Sequence, residues 1–237
     1  MKRLIFAVIV WSLLLICNLG CHIFFGSFTL KTVIFTSVML ILSIIHLIAN
    51  IKYGKKPFFT LTFLFLYFFF NFPIVAFRIS CIDASHPFQY NNVRKYIPGM
   101  ENKIAVMPET LPEKTENFKF QFFPGMLQAD PVKYMIFTTD SKSIDEIIRD
   151  AESRAVGKLD FAEYRKDYEN AEVKKFEKEY YKSETNNILK IHTGYFSRYS
   201  DSGEIYIIST DGDWNHPDSE CIIVNREKCL VSYNVLG

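Results

Sequence analysis

LIFAVIVWSLLLICNLGCHIFF, residues 4–25, carries no charged side chain and is long enough, at 1.5 Å of rise per residue, to cover the ~30 Å hydrocarbon core of a bilayer. Two further stretches, 28–51 and 58–77, are 24 and 20 residues long and carry no charge apart from Lys31 near the start of the first. Backbone amides in lipid must be paired within the segment, so each of the three reads as a transmembrane helix. The first turn is short, around Gly26 and Ser27. The second, Lys52-Tyr53-Gly54-Lys55-Lys56-Pro57, is polar and ends in a residue suited to a helix start.

The charge distribution divides the 237-residue chain at the same place. Through Arg78 it holds 7 of the 27 basic residues and none of the 26 acidic ones, which leaves 20 basic against 26 acidic residues and a formal charge of −6 after that point. The expected organisation is a three-helix transmembrane anchor over 1–78, a juxtamembrane segment and connection over 79–116, and a soluble domain over 117–237. An acidic domain lacks the net basic face that phosphate backbones require, so nucleic acid is not an expected partner. The expected partners are the lipid bilayer and another membrane or envelope protein. Richness in Lys, Asn, Ile and Phe suits an AT-rich bacterial source.

Orientation follows from the basic residues, which are retained on the cytoplasmic side. Lys2 and Arg3 flank the first span and Lys52, Lys55 and Lys56 crowd the second loop, whereas the first loop region offers only Lys31. The N-terminus is therefore expected inside and the domain after Arg78 outside, a multi-pass cell-membrane topology. Arg78, Arg94 and Lys95 pull the other way. Asn18-Leu19-Gly20-Cys21 is a poor lipoprotein cleavage site, because Asn18 replaces the expected apolar residue and His22-Ile23-Phe24-Phe25 prolongs the apolar run. Inside the spans, His46 reads as an interfacial imidazole and Asn71 as a partner for a carbonyl freed by Pro73. The aromatic run over 63–70 reads as anchor.

The soluble part reads as α+β with a mostly antiparallel sheet. Pro87 opens a short helix through Arg94 and Lys95. Pro108 and Pro112 discourage both helix and central strand, so 107–113 is an extended connection. Phe118-Lys119-Phe120-Gln121-Phe122 alternates as a strand should, and 132–137 pairs with it. Ser143-Ile144-Asp145-Glu146 has the form of a capping box, followed by Ile144, Ile147, Ile148, Ala151 and Ala155 on one helical face and Gly157 as a stop. Phe161, Tyr164 and Tyr168 lie in a different helical phase from Val173, Phe176 and Tyr180, which predicts a break near Asn170. Strands are expected over 188–192, 204–209, 220–224 and 229–233.

Sites are sparse. Asp211, Asp213 and Asn215 have the first alternating oxygen ligands of a calcium loop, but His216 stands where that loop needs Gly and Ile222 where it needs Glu, so a plain inter-strand loop is expected and no metal or other cofactor is implied. Cys221 and Cys229 are a possible disulfide on the last hairpin, although a two-residue turn at Arg226-Glu227 would set Val224 opposite Cys229. Cys81 makes the count of thiols after Arg78 odd. No nucleophile elbow, zincin, P-loop or dinucleotide motif occurs. Catalytic residues are therefore unknown from sequence. The expected function is a membrane-anchored extracytoplasmic binding, sensing or accessory module; the alternative is a membrane-tethered hydrolase recruiting His192 and His216 with Cys221 or Cys229.

Overall fold

A computed structural model describes residues 2–26, 30–53, 81–97, 99–100, 104–125, 131–166, 187–212 and 217–237. The chain divides into two compact units, Met1–Asp83 and Ala84–Gly237.

The first unit contains α1 (Lys2–Phe25) and α2 (Leu30–Tyr53), which pack against each other. Within α1, Val8–Phe25 is long and apolar enough to cross a membrane. Phe6, Leu13, Ile16 and Phe24 expose their apolar side chains. Ser12 donates its hydroxyl to the Val8 carbonyl at 2.9 Å, which satisfies it inside the helix as an apolar surrounding requires. The apolar run in α2 is shorter, Leu40–Ala49, and the third expected span over 58–77, with Asn71 and the aromatic run, lies outside the described residues. One helix among the described residues therefore meets the length and apolarity of a span, where the sequence predicts three.

The second unit is built on a mostly antiparallel sheet of seven strands: β1 (Ile82–Ala84), β2 (Glu116–Phe123), β3 (Val132–Thr138), β4 (Gly157–Asp160), β5 (Glu204–Gly212), β6 (Pro217–Asn225) and β7 (Leu230–Leu236). Their spatial order is β1-β2-β3-β7-β6-β5-β4. Among the described residues four helices accompany them: α3 (Pro87–Tyr96), α4 (Ser141–Arg154), α5 (Phe161–Lys166) and α6 (Asn187–Phe196). β2 and β3 form one antiparallel pair and β5-β6-β7 an antiparallel meander. The two join where β3 runs antiparallel to β7, from Val132 opposite Leu236 to Thr138 opposite Leu230.

Directly opposed residues share a face of the sheet, so the register sorts the core into two layers. One face presents Ile136, Ile205, Ile207, Cys221, Ile223 and Leu230, which pack against Phe161 and Tyr164 of α5 and Tyr195 and Phe196 of α6. Phe161 meets Phe196 edge-on at 5.1 Å between centroids, and Tyr134 stacks on Tyr195 at 5.1 Å. The other face presents Phe118, Phe120 and Phe122 of β2, Met135 and Phe137 of β3, and Val231, Tyr233 and Val235 of β7, all buried. Tyr90 of α3 packs there on Phe118 and Phe120, and α4 lies over β5 and β6.

Several local expectations change. The α4 cap is Asp140, whose carboxylate accepts from the Ser143 N–H at 2.9 Å; Ser143 is thus inside the first turn, and the helix begins earlier than the capping box suggests. Its buried face is Ile144, Ile148 and Ala151. It ends at Ala155, and Gly157 belongs to β4 opposite Ile207. Residues 188–192, expected as a strand, are the first half of α6. His192, Thr193 and Phe196 are buried and Ile191 and Gly194 exposed, a helical period that the β-branched content hides. The last turn has four residues, 226–229, because Asn225 pairs with Leu230. The break expected near Asn170 lies outside the described residues.

Two glycines test this packing with opposite signs. Gly203 has φ +151°, and a Cβ there would meet the Val224 carbonyl oxygen at 2.6 Å, a backbone atom that cannot swing away; Gly194 sits in α6 with nothing within 4 Å. Gly203→Ala should lower stability by about 2 kcal/mol or more, while Gly194→Ala should raise it by up to about 1 kcal/mol. Thermal or denaturant unfolding of the two variants beside the parent checks both signs. A tolerated Gly203→Ala would contradict the β5 to β6 approach described.

Candidate functional site

His192 of α6 is the one sequence-predicted histidine whose surroundings are described. It is fully buried, with Nε2 2.8 Å from the Ser219 Oγ of β6. Cys221 lies two residues further along β6 on the same face, and Asn234 of β7 donates to its sulfur at 3.8 Å. Ser232 in turn donates to Asn234 Oδ1 at 3.1 Å. Burial pushes the His192 imidazolium down to about 3, and burial, more than the Asn234 hydrogen bond opposes, pushes the Cys221 thiol up. A thiol nucleophile must ionise and a general base must titrate near working pH. Neither condition is met, and Ser219 and Cys221 are closed to solvent. This group therefore reads as a polar seam within the core, tying α6 to β6 and β7.

Cys229 stays away from it, in the last turn with φ +47°, its thiol donating to the Arg226 carbonyl at 3.7 Å. Cys221 faces Asn234 across the ladder, and both cysteines are free thiols. Of the calcium-loop residues, Asp211 pairs with Asp218 in β5 and β6, and Asp213, Asn215 and His216 lie outside the described residues. Among the described residues no cluster of metal-ligating side chains occurs.

The accessible feature is a groove of about 650 Å³ at the end of the β2-β3-β7 ladder, lined among others by Lys119, Thr138, Tyr199, Lys228 and Leu230. Its deepest lining is apolar: Ile136, Phe118 and Leu230 are core side chains at most 5% exposed, and Pro87 adds a half-buried apolar surface above them. Asn117 has φ +51° at the β2 irregularity and donates to Thr138 Oγ1 at 3.1 Å. On the opposite wall, Tyr199 follows α6, its N–H bonded to the Phe196 carbonyl at 2.9 Å and its ring 5.7 Å from Tyr195. Lys119 Nζ lies 5.8 Å from the Tyr199 ring centroid, and Lys228 Nζ donates to the Tyr199 carbonyl at 3.1 Å. Among the described residues no Asp or Glu lines the groove. By contrast, a second groove of about 600 Å³ beside α4 sets Glu113, Asp140, Glu146 and Asp150 against Lys114 and Lys142 and is net acidic.

Lys119, Tyr199 and Lys228 were not singled out by sequence. They come from a strand, the segment after α6 and a hairpin turn, and share no spacing; the only local cue is that Lys119 sits at a polar position of an alternating strand.

The buried imidazole generates a pH prediction. His192 binds its proton far less readily folded than unfolded, where its value is ~6.5, so its contribution to stability is intact above that pH and is lost as pH falls from about 6.5 toward about 3. Between pH 7 and 5 the loss should be about 2 kcal/mol, and a His192→Gln variant should lose correspondingly less. Chemical denaturation at both pH values measures it; parallel losses in parent and variant would show that His192 is not buried neutral.

Compared with protein-family models, with curated proteins and with solved structures, the chain finds no match.

Proposed function

We propose that this chain is a membrane-anchored extracytoplasmic binding or sensing module. α1, together with the apolar segments over 28–51 and 58–77, holds it in the lipid bilayer. The sheet domain faces away from the cytoplasm and engages a small ligand or another envelope protein. The observation that carries this reading is the cation-lined, apolar-floored groove, which is open where the His192, Ser219 and Cys221 seam is closed. Concave sites with an apolar body and a few convergent polar groups are the usual form of ligand sites. The hydrolase alternative loses support because His192 and Cys221 are closed to solvent and Cys229 stands apart from them in the last turn. The bilayer assignment is supported by Val8–Phe25, and the orientation by the excess of basic residues at Lys2, Arg3, Lys52, Lys55 and Lys56 over the first loop.

Two measurements test it. An export-dependent reporter fused after Gly237 should be active and a cytosol-dependent one silent; the reverse pattern rejects the outside placement. A fragment spanning Ala84–Gly237 should unfold cooperatively without detergent, because α3 already supplies Tyr90 and Val93 to its core. A fragment that stays soluble only in detergent would overturn the separate anchor.

A further inference from the structure

The geometry points to a small amphipathic anion as the ligand of the Tyr199 groove: an apolar or aromatic body against Pro87 and the Tyr199 ring, with a single carboxylate held by Lys119 and Lys228. This deepens the binding-module reading and rests on it.

Charge carries the inference first. The chain after Arg78 has a formal charge of −6, yet among the described residues every formally charged side chain lining this groove is a lysine. Arg154 on Asp150 at 2.9 Å, Lys158 on Glu204 at 2.7 Å and Arg226 on Asp145 at 2.9 Å lie against carboxylates, while Lys95 and Arg198 lie over aromatic rings. Lys119 and Lys228 instead meet an aromatic face and a backbone carbonyl, both neutral. Both lysines are exposed, so neither carries the cost of a buried charge, and both are drawn to one residue, Tyr199. An incoming carboxylate would gain charge-assisted hydrogen bonds without displacing a carboxylate partner.

Shape narrows the class. A space of about 650 Å³ lies within the ~300–1,000 Å³ usual for small-molecule sites, and its floor excludes a purely polar ion as the best occupant. Ser85, His86 and Pro87 at the start of α3 complete the wall, so the positive end of that helix reinforces the two lysines. The Tyr199 ring offers a flat surface on which an aromatic body can stack.

The test uses the full chain in phosphatidylcholine nanodiscs and three isosteric probes, 2-naphthoate, 2-naphthylmethanol and 2-naphthylmethylamine, titrated calorimetrically with empty nanodiscs subtracted. The acid should bind about tenfold more tightly than the alcohol, and the amine weakest. Lys119→Gln and Lys228→Gln should each lower affinity for the acid several-fold while leaving the alcohol unchanged, and the double variant should bind acid and alcohol alike. Lys142→Gln, beside the other groove, should change nothing. Because the two lysines are exposed, the variants should unfold at the parent's temperature; if one does not, the other carries the comparison. Equal affinities for the three probes, no binding of the acid, or an acid affinity indifferent to both lysines would overturn the ligand class. None of these results bears on the reporter and fragment measurements, which judge the anchored-module reading separately.

Discussion

The seven-residue pairing of β3 with β7 is the constraint on which the second unit depends. It joins a hairpin from the middle of the chain to a meander at its end, across roughly a hundred residues of sequence. Without it the strands fall into a sheet of three and a sheet of four, each with an edge cut through the core at β3 and β7. Every residue of β7 is buried, which makes its register expensive to alter: a one-residue slip would send Ser232 and Asn234 together to the opposite face, away from Cys221. Unmatched buried polar groups cost about 1–3 kcal/mol each, so the polar seam specifies register where an all-apolar strand would tolerate slippage.

That central seam also explains why the groove lies where it does. On one face of the sheet, α3 covers β2 while α4 lies over β5 and β6. On the other, α5 and α6 pack on the β5-β6-β7 side. Asn225 holds the segment after α6 in place, donating to Ser200 Oγ and to the Ser202 carbonyl at 2.9 Å each, while its own carbonyl accepts from the Lys228 N–H at 2.8 Å. This network fixes the Lys228 backbone beside Tyr199. The end of β2 and β3 that no described helix covers, with Lys119 and Thr138, becomes the facing wall. The groove is therefore a consequence of how far helical cover extends.

Much of the sheet was legible because its strands alternate or run apolar. Phe118, Phe120 and Phe122 point one way and Lys119 and Gln121 the other, and Pro87 marks the start of α3 as its fixed φ suggests. The first half of α6 was not legible: Ile188, Ile191 and Thr193 favour strands, and only the tertiary contacts of His192 and Phe196 reveal the helical period. Asp140 as cap was obscured by the more familiar pattern that begins at Ser143. The groove could not be read at all, since proximity among Lys119, Tyr199 and Lys228 is produced by β3 and β7 pairing and by the Asn225 network. Of the membrane region, α1 carries the evident signal, and α2 shows a shorter apolar run than its 24 residues suggest.

Amide hydrogen exchange on the full chain in nanodiscs tests the central role of β7 most directly. Amides in β7 and β3 should be the slowest in the second unit, opening only with global unfolding, whereas those of the four-residue edge strand β4 should exchange much faster. If β7 exchanges as readily as β4, or if β3 opens independently of β7, the pairing described is not what holds the domain together.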